Sequence, residues 1–160
     1  MGVTIKTCVP GPRYEPLIQL LRTAETLWNV SRVFFDHWDI SPSQFNILNL
    51  IHGTPLGLTQ TELSRELIMH RSNVTGLVDR LEKRMLVKRR SEPSDRRTWR
   101  VILTKKGEEI LREILPEYYR LAEEVWGTIL PRDAERIAAD LANLSTQAVE
   151  LLNSKGKTEA

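Results

Sequence analysis

The basic side chains of this 160-residue chain are concentrated between Arg80 and Lys106. That stretch holds eleven Lys or Arg residues against three Asp or Glu residues, a local net charge of +8. The remainder has 12 basic and 18 acidic residues, a net charge of −6, so the overall charge of +2 hides a strong asymmetry. Solvated charged faces usually mix both signs, whereas a one-sided excess favours a polyanionic partner.

Other residue types that support chemistry are sparse in this sequence. His37, His52 and His70 have no carboxylate or cysteine at metal-ligand spacing. The single cysteine, Cys8, excludes an internal disulfide and a multi-cysteine zinc cluster within one chain. The sequence also lacks a glycine-flanked nucleophile turn and a glycine-rich phosphate loop. We therefore expect no catalytic residues, no metal and no cofactor, and a protein that is not an enzyme.

The composition is that of a globular protein, with 41% apolar and 28% charged residues. Its apolar runs stay well short of the roughly 18 residues that a membrane-spanning helix requires. Residues 1–16 lack the basic start, apolar middle and cleavage site of a signal peptide. We expect one compact domain in the cytoplasm.

Helices must position the basic stretch. Apolar residues recur every three or four positions from Leu17 to Trp38, which predicts one long amphipathic helix. Ser41-Pro42 has the composition of an N-cap and first turn, and predicts the start of a second helix. Thr59 followed by Glu62 is a capping-box pattern that opens a short helix through about Leu67.

A second short helix and a hairpin follow. The helix begins at about Arg71, and its inward face is predicted to carry Val74, Leu77, Val78 and Leu81. Residues 86–90 and 98–103 predict two short strands, because a segment rich in turn-forming residues, 91–97, separates them. The sequence therefore predicts a hairpin with a basic tip.

Two long helices separated at Pro131 are predicted after Leu103, since apolar residues step by four and three on both sides. We expect the long helices at both ends of the chain to meet, and a second copy to complete the bundle as a homodimer. The predicted fold is mainly α with a small β-hairpin wing. Residues 41–104 form a winged helix-turn-helix lobe, residues 14–40 and 105–153 form a helical dimerisation region, and residues 1–13 and 154–160 are flexible ends.

The second short helix of such a lobe fits the major groove of DNA, where its outward polar side chains reach base edges. The residues placed for this contact are Arg71, Ser72, Asn73 and Thr75. Arginine suits guanine and asparagine suits adenine, so the chemistry fits base readout. An alternative stays open, in which Ser72 caps the helix and Asn73 faces water.

The hairpin tip places Asp95 beside Arg97. A short ion pair between them would hold the Arg97 guanidinium extended, so that it enters the narrow, electronegative minor groove. The alternative is an exposed loop with ordinary ion pairing, which contributes little. The other residues predicted to bind DNA are Arg80, Arg89, Arg96 and Arg100, with phosphate contacts expected at Arg96 and Arg100.

Four motifs occur in a fixed order along the chain. They are Thr59-Gln60-Thr61-Glu62-Leu63, the run from Arg71 to Arg84, Asp95-Arg96-Arg97, and Leu103-Thr104-Lys105-Lys106-Gly107. Together they resemble the MarR-type winged helix-turn-helix transcriptional regulators, whose wing pattern of Asp-x-Arg followed by Leu-Thr-x-x-Gly is matched in full. The resemblance covers the chain beyond about residue 14.

The resemblance implies a two-fold symmetric dimer on double-stranded DNA with a pseudo-palindromic site. It places the helix from about Arg71 in the major groove and Arg97 in the flanking minor groove. It also implies a repressor released by a small aromatic or phenolic effector, or by oxidation. Two positions depart from the family, which usually has glycine where this chain has Met85 and often has glycine where it has Ile68. Because a side chain is costly at positive φ, we expect one or both turns to be built differently.

Two further functions follow from residues outside the wing. An effector pocket between the first, second and later long helices would be lined by Trp28, Arg32, Trp38, Phe45 and His52, although aromatics at helical spacing also suit a plain core. A redox role would use Cys8, which precedes Pro10-Gly11-Pro12. A third alternative is a winged-helix module whose basic hairpin binds an acidic protein surface.

Overall fold

A computed structural model describes residues 10–92 and 95–155 of the chain. Residues up to Leu111 belong to one compact unit and residues from Arg112 to another. The predicted mainly α architecture with a small β-hairpin is confirmed. In chain order the elements are α1 (Tyr14–Asp36), α2 (Pro42–His52), β1 (Leu58–Thr59), α3 (Gln60–Glu66), α4 (Arg71–Lys83), β2 (Val87–Glu92), β3 (Asp95–Leu103), α5 (Lys105–Trp126) and α6 (Pro131–Lys155).

Capping boxes define where α2 and α3 begin. Ser41 Oγ accepts from the Gln44 backbone N–H at 3.3 Å, and the Gln44 side chain accepts from the Ser41 N–H at 2.8 Å. In the same way, Thr59 Oγ1 accepts from the Glu62 backbone N–H at 3.2 Å, and the Glu62 side chain accepts from the Thr59 N–H at 2.7 Å. Each pair satisfies N–H groups that the first helical turn leaves without partners. Both predicted helix starts are confirmed.

The core of the first unit forms where α2, α3 and α4 pack against the sheet. The apolar face predicted for α4 is buried, and its side chains at Val74, Val78 and Leu81 have no exposed area. Other buried side chains are Phe35, Ile40, Phe45, Ile47, Leu48, Ile51, Leu63, Leu77, Leu86, Val87, Val101 and Leu111. Burying one stripe of α4 leaves its polar stripe, including Arg71 and Asn73, exposed to solvent.

The sheet has three antiparallel strands in the order β1, β3, β2. The predicted hairpin is confirmed, with Val87 opposite Leu103 and Arg89 opposite Val101. Both strands extend further toward the tip than the sequence indicated, and the register shifts between Ser91 and Glu92. Strand β1 was not predicted, because two residues that pair with Val101 and Arg100 are too short to show any periodicity.

Residues 112–155 supply the second unit, which consists of the rest of α5 together with α6. The predicted break between two long helices is confirmed, since α6 begins at Pro131. Large apolar side chains remain exposed on this unit, namely Tyr119, Val125, Ile129, Leu130, Leu141, Leu144, Leu151 and Leu152. Helix α1 of the first unit has its own exposed set, namely Leu17, Leu21, Leu27, Trp28, Val30 and Val33.

Several predictions stay untested in this structure. The grouping of residues 14–40 with 105–153 in one dimerisation region depends on a second copy. Cys8 lies outside the described residues, and so do the ends at 1–9 and 156–160.

The turns at Ile68 and Met85 do not have the altered backbone that the sequence led us to expect. Their φ values are +51° and +59°, so both residues occupy the left-handed region that glycine adopts without strain. The turns are therefore not built differently to suit a side chain. Instead the chain keeps a glycine-like backbone at both positions, with the Ile68 and Met85 side chains mostly exposed.

Replacing Ile68 by glycine is expected to raise the free energy of unfolding by about 1 kcal/mol, measured by urea denaturation. A β-branched residue is especially unfavourable at positive φ, and the Ile68 side chain is 64% exposed, so little packing is lost. Leu56 is the matched control, because it is equally exposed and lies outside the left-handed region. Leu56→Gly should lower stability by about 0.5 kcal/mol, and an equal loss at both positions would contradict strain at Ile68.

Candidate nucleic-acid interface

The first turn of α4 presents the residues predicted to contact bases. Arg71, Ser72 and Asn73 are all exposed there. The N-cap is His70, whose Nδ1 accepts from the Ser72 backbone N–H at 3.4 Å and lies 2.7 Å from Ser72 Oγ. Ser72 therefore does not cap the helix, which was the alternative left open. Sequence analysis missed His70 because histidine is outside the set of residues that usually cap helices.

Thr75 and Arg80 lie further along α4 in different surroundings. The Thr75 hydroxyl is 3.0 Å from the Arg71 carbonyl oxygen and 2.6 Å from the side-chain amide of Gln60, so it is engaged within the protein. Arg80 is exposed in the last two turns. Base contact by Thr75 stays a prediction, but its hydroxyl already links α3 to α4.

The wing brings Arg97 and Trp99 to the surface of β3. The Trp99 side chain is 53% exposed, and sequence analysis did not single it out. The signal was available, because Arg97 and Trp99 are two residues apart and therefore share one face of the strand. The side chains of Asp95 and Arg96 lie outside what the structure describes, so the ion pair between Asp95 and Arg97 stays a prediction.

A hollow of about 540 Å³ lies between the start of α4 and the wing. Its lining is Thr59, Gln60, Thr61, Arg71, Arg89, Arg97, Thr98 and Trp99. The hollow therefore joins a side chain predicted for the major groove, Arg71, to the one predicted for the minor groove, Arg97. Hydroxyl groups and guanidinium groups together suit the phosphate oxygens of a nucleic-acid backbone.

Arg89 is engaged inside the protein rather than extended from the strand. Its guanidinium pairs with Glu82 and, at 2.5 Å, with Asp79, and its backbone N–H donates to Glu82 Oε1 at 3.0 Å. Burial lowers the pKa of Arg89, but the hydrogen bond to Asp79 and the charges of Glu82 and Asp79 outweigh it and raise the pKa overall. The DNA contact predicted for Arg89 would have to compete with two carboxylates.

Arg100 is held in a similar way at the other strand. Its side chain pairs with Glu92, lies 3.4 Å from Glu62, and donates to the Gly57 carbonyl oxygen at 3.2 Å. The hydrogen bond to Glu92 raises the pKa of Arg100, against a smaller lowering by burial. Arg100 thus joins the wing to the start of α3, and its predicted phosphate contact would compete with these partners.

The C-terminal end of α4 is tied to the segments around it. The Arg84 guanidinium donates to the carbonyl oxygens of Asp39 and, at 3.0 Å, of Trp38, directly after α1. Thr104 Oγ1 donates to the Met85 carbonyl oxygen at 2.6 Å, and Lys106 Nζ donates to the Arg84 carbonyl oxygen at 3.1 Å. These bonds fix the position of the C-terminal end of α4 relative to the ends of α1 and β3.

The residues predicted to line an effector pocket are not brought together in the first unit. Phe45 is buried and stacks on Phe35 with ring centroids 4.4 Å apart, so it belongs to the core. Arg32 lies in a hollow beside the start of α2, whereas His52 lies in a separate one near Ile102 and Glu108. Trp38 packs against Phe34, with centroids 5.2 Å apart, and Trp28 is 40% exposed. Arg32 and His52 therefore line different hollows in this unit, and an effector pocket formed by the five residues stays a prediction.

Residues 10–92 and 95–155 contain no cluster of three or more His, Cys, Asp or Glu side chains placed to hold a metal ion. This part of the chain also has no helix of the length and apolarity needed to cross a bilayer.

An α3–α4 pair with an exposed polar face, followed by an antiparallel hairpin, defines a winged helix-turn-helix protein. Residues 38–98 match the model of the MarR family. Over 77 residues, or 48% of its length, the chain is 36% identical to the transcriptional repressor MprA of Escherichia coli strain K12. That alignment spans 44% of MprA, so the match covers less than half of this relative.

Solved structures show the same fold. CouR from Rhodococcus jostii RHA1, bound to p-coumaroyl-CoA, has a TM-score of 0.77 at 19% identity, covering 85% of this chain and 95% of CouR. The S. aureus MepR–DNA complex has a TM-score of 0.72 at 18% identity, covering 84% of this chain and 97% of MepR. These findings bear out the resemblance seen in the motifs: residues 38–98 match the MarR family of transcriptional regulators, and the solved structures share the fold of the chain.

Proposed function

We propose that this chain is a homodimeric, sequence-specific regulator of transcription that binds double-stranded DNA at a pseudo-palindromic site. The observation that carries the proposal is the basic hollow between α4 and the wing, with Arg71 on one side and Arg97 on the other. A helix start and a wing on one face suit adjacent major and minor grooves. In this role the protein would act in the cytoplasm, and we expect it to have no enzymatic activity.

Exposed apolar side chains support the homodimer. Val33 on α1 is 79% exposed, and Leu152 on α6 is 70% exposed, in helices that carry many such residues. Monomeric proteins rarely leave large contiguous apolar surfaces in water, and a second copy would cover them. A dimer also presents two copies of α4, which matches a site with two-fold symmetry.

A titration with duplex DNA separates this function from the protein-interaction alternative. A DNA-binding regulator should bind with a steep salt dependence and prefer some sequences over others. A module that binds an acidic protein surface should show no sequence preference, and failure to bind DNA at low salt would favour it.

Replacing Arg97 by alanine is expected to reduce affinity for the preferred site by roughly 10- to 100-fold, because a guanidinium is lost from the minor groove. Asn73→Ala should instead relax the preference at particular bases, by about 1–3 kcal/mol. Affinities for the preferred duplex, for single-base variants of it and for random duplex separate the two effects. Equal losses on every duplex for both variants would reassign both residues to phosphate contacts.

We further propose that DNA binding is repressive and is released by a small aromatic or phenolic effector. The support comes from relatives: MprA is named as a repressor, and CouR binds p-coumaroyl-CoA. Screening such compounds for release of the preferred duplex tests this regulation. Release by peroxide that is lost in Cys8→Ser would favour the redox alternative instead.

A further inference from the structure

Arg89 is the hub of a polar network that connects the wing to both helices of the helix-turn-helix pair. It lies in β2, and its guanidinium contacts Asp79 and Glu82, which are three residues apart on α4. The Arg89 side chain is 23% exposed, well below its neighbours Lys88 and Arg90, which are exposed. One strand residue is therefore fixed against two positions on α4, the predicted recognition helix.

Gln60 extends the network to α3. With its amide nitrogen facing Thr75 Oγ1 at 2.6 Å, its oxygen accepts from Arg89 Nη2 at 3.1 Å and from Nε at 3.2 Å. This orientation pairs each donor with an acceptor, whereas the reverse one faces like against like. Thr75 then donates to the Arg71 carbonyl oxygen at 3.0 Å. The planar fork of Arg89 thereby reaches two helices at once.

The charges in this network do not suit a phosphate. Arg89, Asp79 and Glu82 together carry a net charge of −1, and the two carboxylates are themselves partly exposed, at 49% and 37%. A phosphate that approached the guanidinium would meet both carboxylates. Part of the positive charge between Arg80 and Lys106 is thus paired with carboxylates of the protein itself.

We propose that Arg89 is a positioning residue that holds the wing at a fixed distance from the recognition helix, rather than a residue that binds DNA. This inference rests on the proposed function. Major-groove contacts from α4 and a minor-groove contact from Arg97 can form together only if that distance matches the DNA. Non-specific binding uses phosphates alone and has no such requirement. Loss of Arg89 contacts should therefore cost specific binding more than non-specific binding.

The main test replaces Arg89 by lysine and uses Arg90→Lys as the matched control. Both changes keep the charge, but only Arg89→Lys removes a fork that joins several partners. Arg89→Lys should lower affinity for the preferred duplex by roughly tenfold and leave random-duplex affinity and the salt slope unchanged. Arg90→Lys should match wild type on both duplexes. Wild-type behaviour of Arg89→Lys on both duplexes would overturn the proposal, since lysine also serves as a phosphate contact.

Glu82→Gln supplies a second test, because a positioning role and a phosphate-binding role of Arg89 predict different changes in DNA affinity. It keeps Arg89 but removes a carboxylate partner, so the ratio of specific to random affinity should fall. If Arg89 instead bound phosphate, freeing it from Glu82 would raise both affinities and leave that ratio unchanged or higher.

Hydrogen exchange on the DNA-free protein distinguishes failure of this inference from failure of the proposed function. Arg89→Lys should speed exchange at residues 87–92 and leave residues 131–155 unchanged, whereas unchanged exchange at 87–92 would overturn the positioning role. If exchange rises but wild-type protein does not bind DNA, the proposed function fails and the link between wing and helices remains.

Discussion

Gly107→Ala is expected to lower the free energy of unfolding by about 3 kcal/mol. A Cβ at this position would overlap the Leu86 carbonyl oxygen and lie 3.2 Å from Leu103 Cδ2. The overlapping atom belongs to the backbone, which cannot rotate away like a flexible side chain. Thr104 holds the same junction, because its N–H donates to the Leu86 carbonyl oxygen at 3.1 Å and its hydroxyl accepts from the Gly107 N–H at 3.1 Å.

This geometry gives a physical reason for the Leu-Thr-x-x-Gly motif. Thr104 caps the start of α5 and Gly107 permits that first turn to approach the backbone of Leu86. Leu86 itself is buried and directly precedes β2. The motif therefore fixes the junction at which β3 ends and α5 begins, next to the residue that precedes β2.

Thermal unfolding of Gly107→Ala should show a midpoint lower by roughly 6 to 12 °C. Gly76→Ala is the matched control, because its nearest neighbour would be Arg80 Nη1 at 3.7 Å, an ordinary contact inside α4. That control should stabilise the protein by about 0.5–1 kcal/mol, as alanine does in helix interiors. A Gly107→Ala midpoint equal to or above wild type would show that the close approach is absent.

Phe45→Ala is expected to lower the free energy of unfolding by about 3–5 kcal/mol, measured by chemical denaturation. Phe45 is only 1% exposed and stacks on Phe35 at an interplanar angle of 27°. Removing the ring takes away its burial and leaves a cavity between α1 and α2. Phe45→Leu, which keeps most of the volume, should lose less.

His52→Ala is the control for Phe45, because His52 lies on the same helix and is exposed. The free energy of unfolding of the His52→Ala protein should stay within about 0.5 kcal/mol of the wild-type value. Comparing the two variants also shows whether Phe45 belongs to the core or to a ligand pocket. A Phe45→Ala protein with wild-type stability and an altered response to effectors would restore Phe45 to a ligand site.

Local patterns in the sequence predicted most of the fold. The helix starts at Ser41 and Thr59 follow from side chains that bond within three residues, and such patterns are visible in one short window. The apolar stripe of α4 was equally visible, because helical periodicity does not depend on distant contacts. Strand β1 was missed, since it exists only through pairing with β3. Thr59 pairs with Arg100, 41 residues downstream, and Leu58 pairs with Val101, 43 residues downstream.

The role of charged residues could not be predicted in the same way. Arg89 and Arg100 contribute to a basic stretch in the sequence, but Glu62, a partner of Arg100, is 38 residues away. Only the fold brings such carboxylates into contact with the arginines. Ile68 and Met85 show the opposite case, because the tertiary structure imposes a glycine-like backbone that their side chains alone would disfavour.

The most direct test of the central claim is footprinting of the protein on sites selected from random DNA. We expect a protected region with two-fold symmetry, whose half-sites are separated by about 10 base pairs or a multiple of that. Protection should weaken when Arg97 is replaced by alanine. Selection that enriches no sequence, or a footprint without two related half-sites at moderate salt, would contradict a dimeric, sequence-specific regulator.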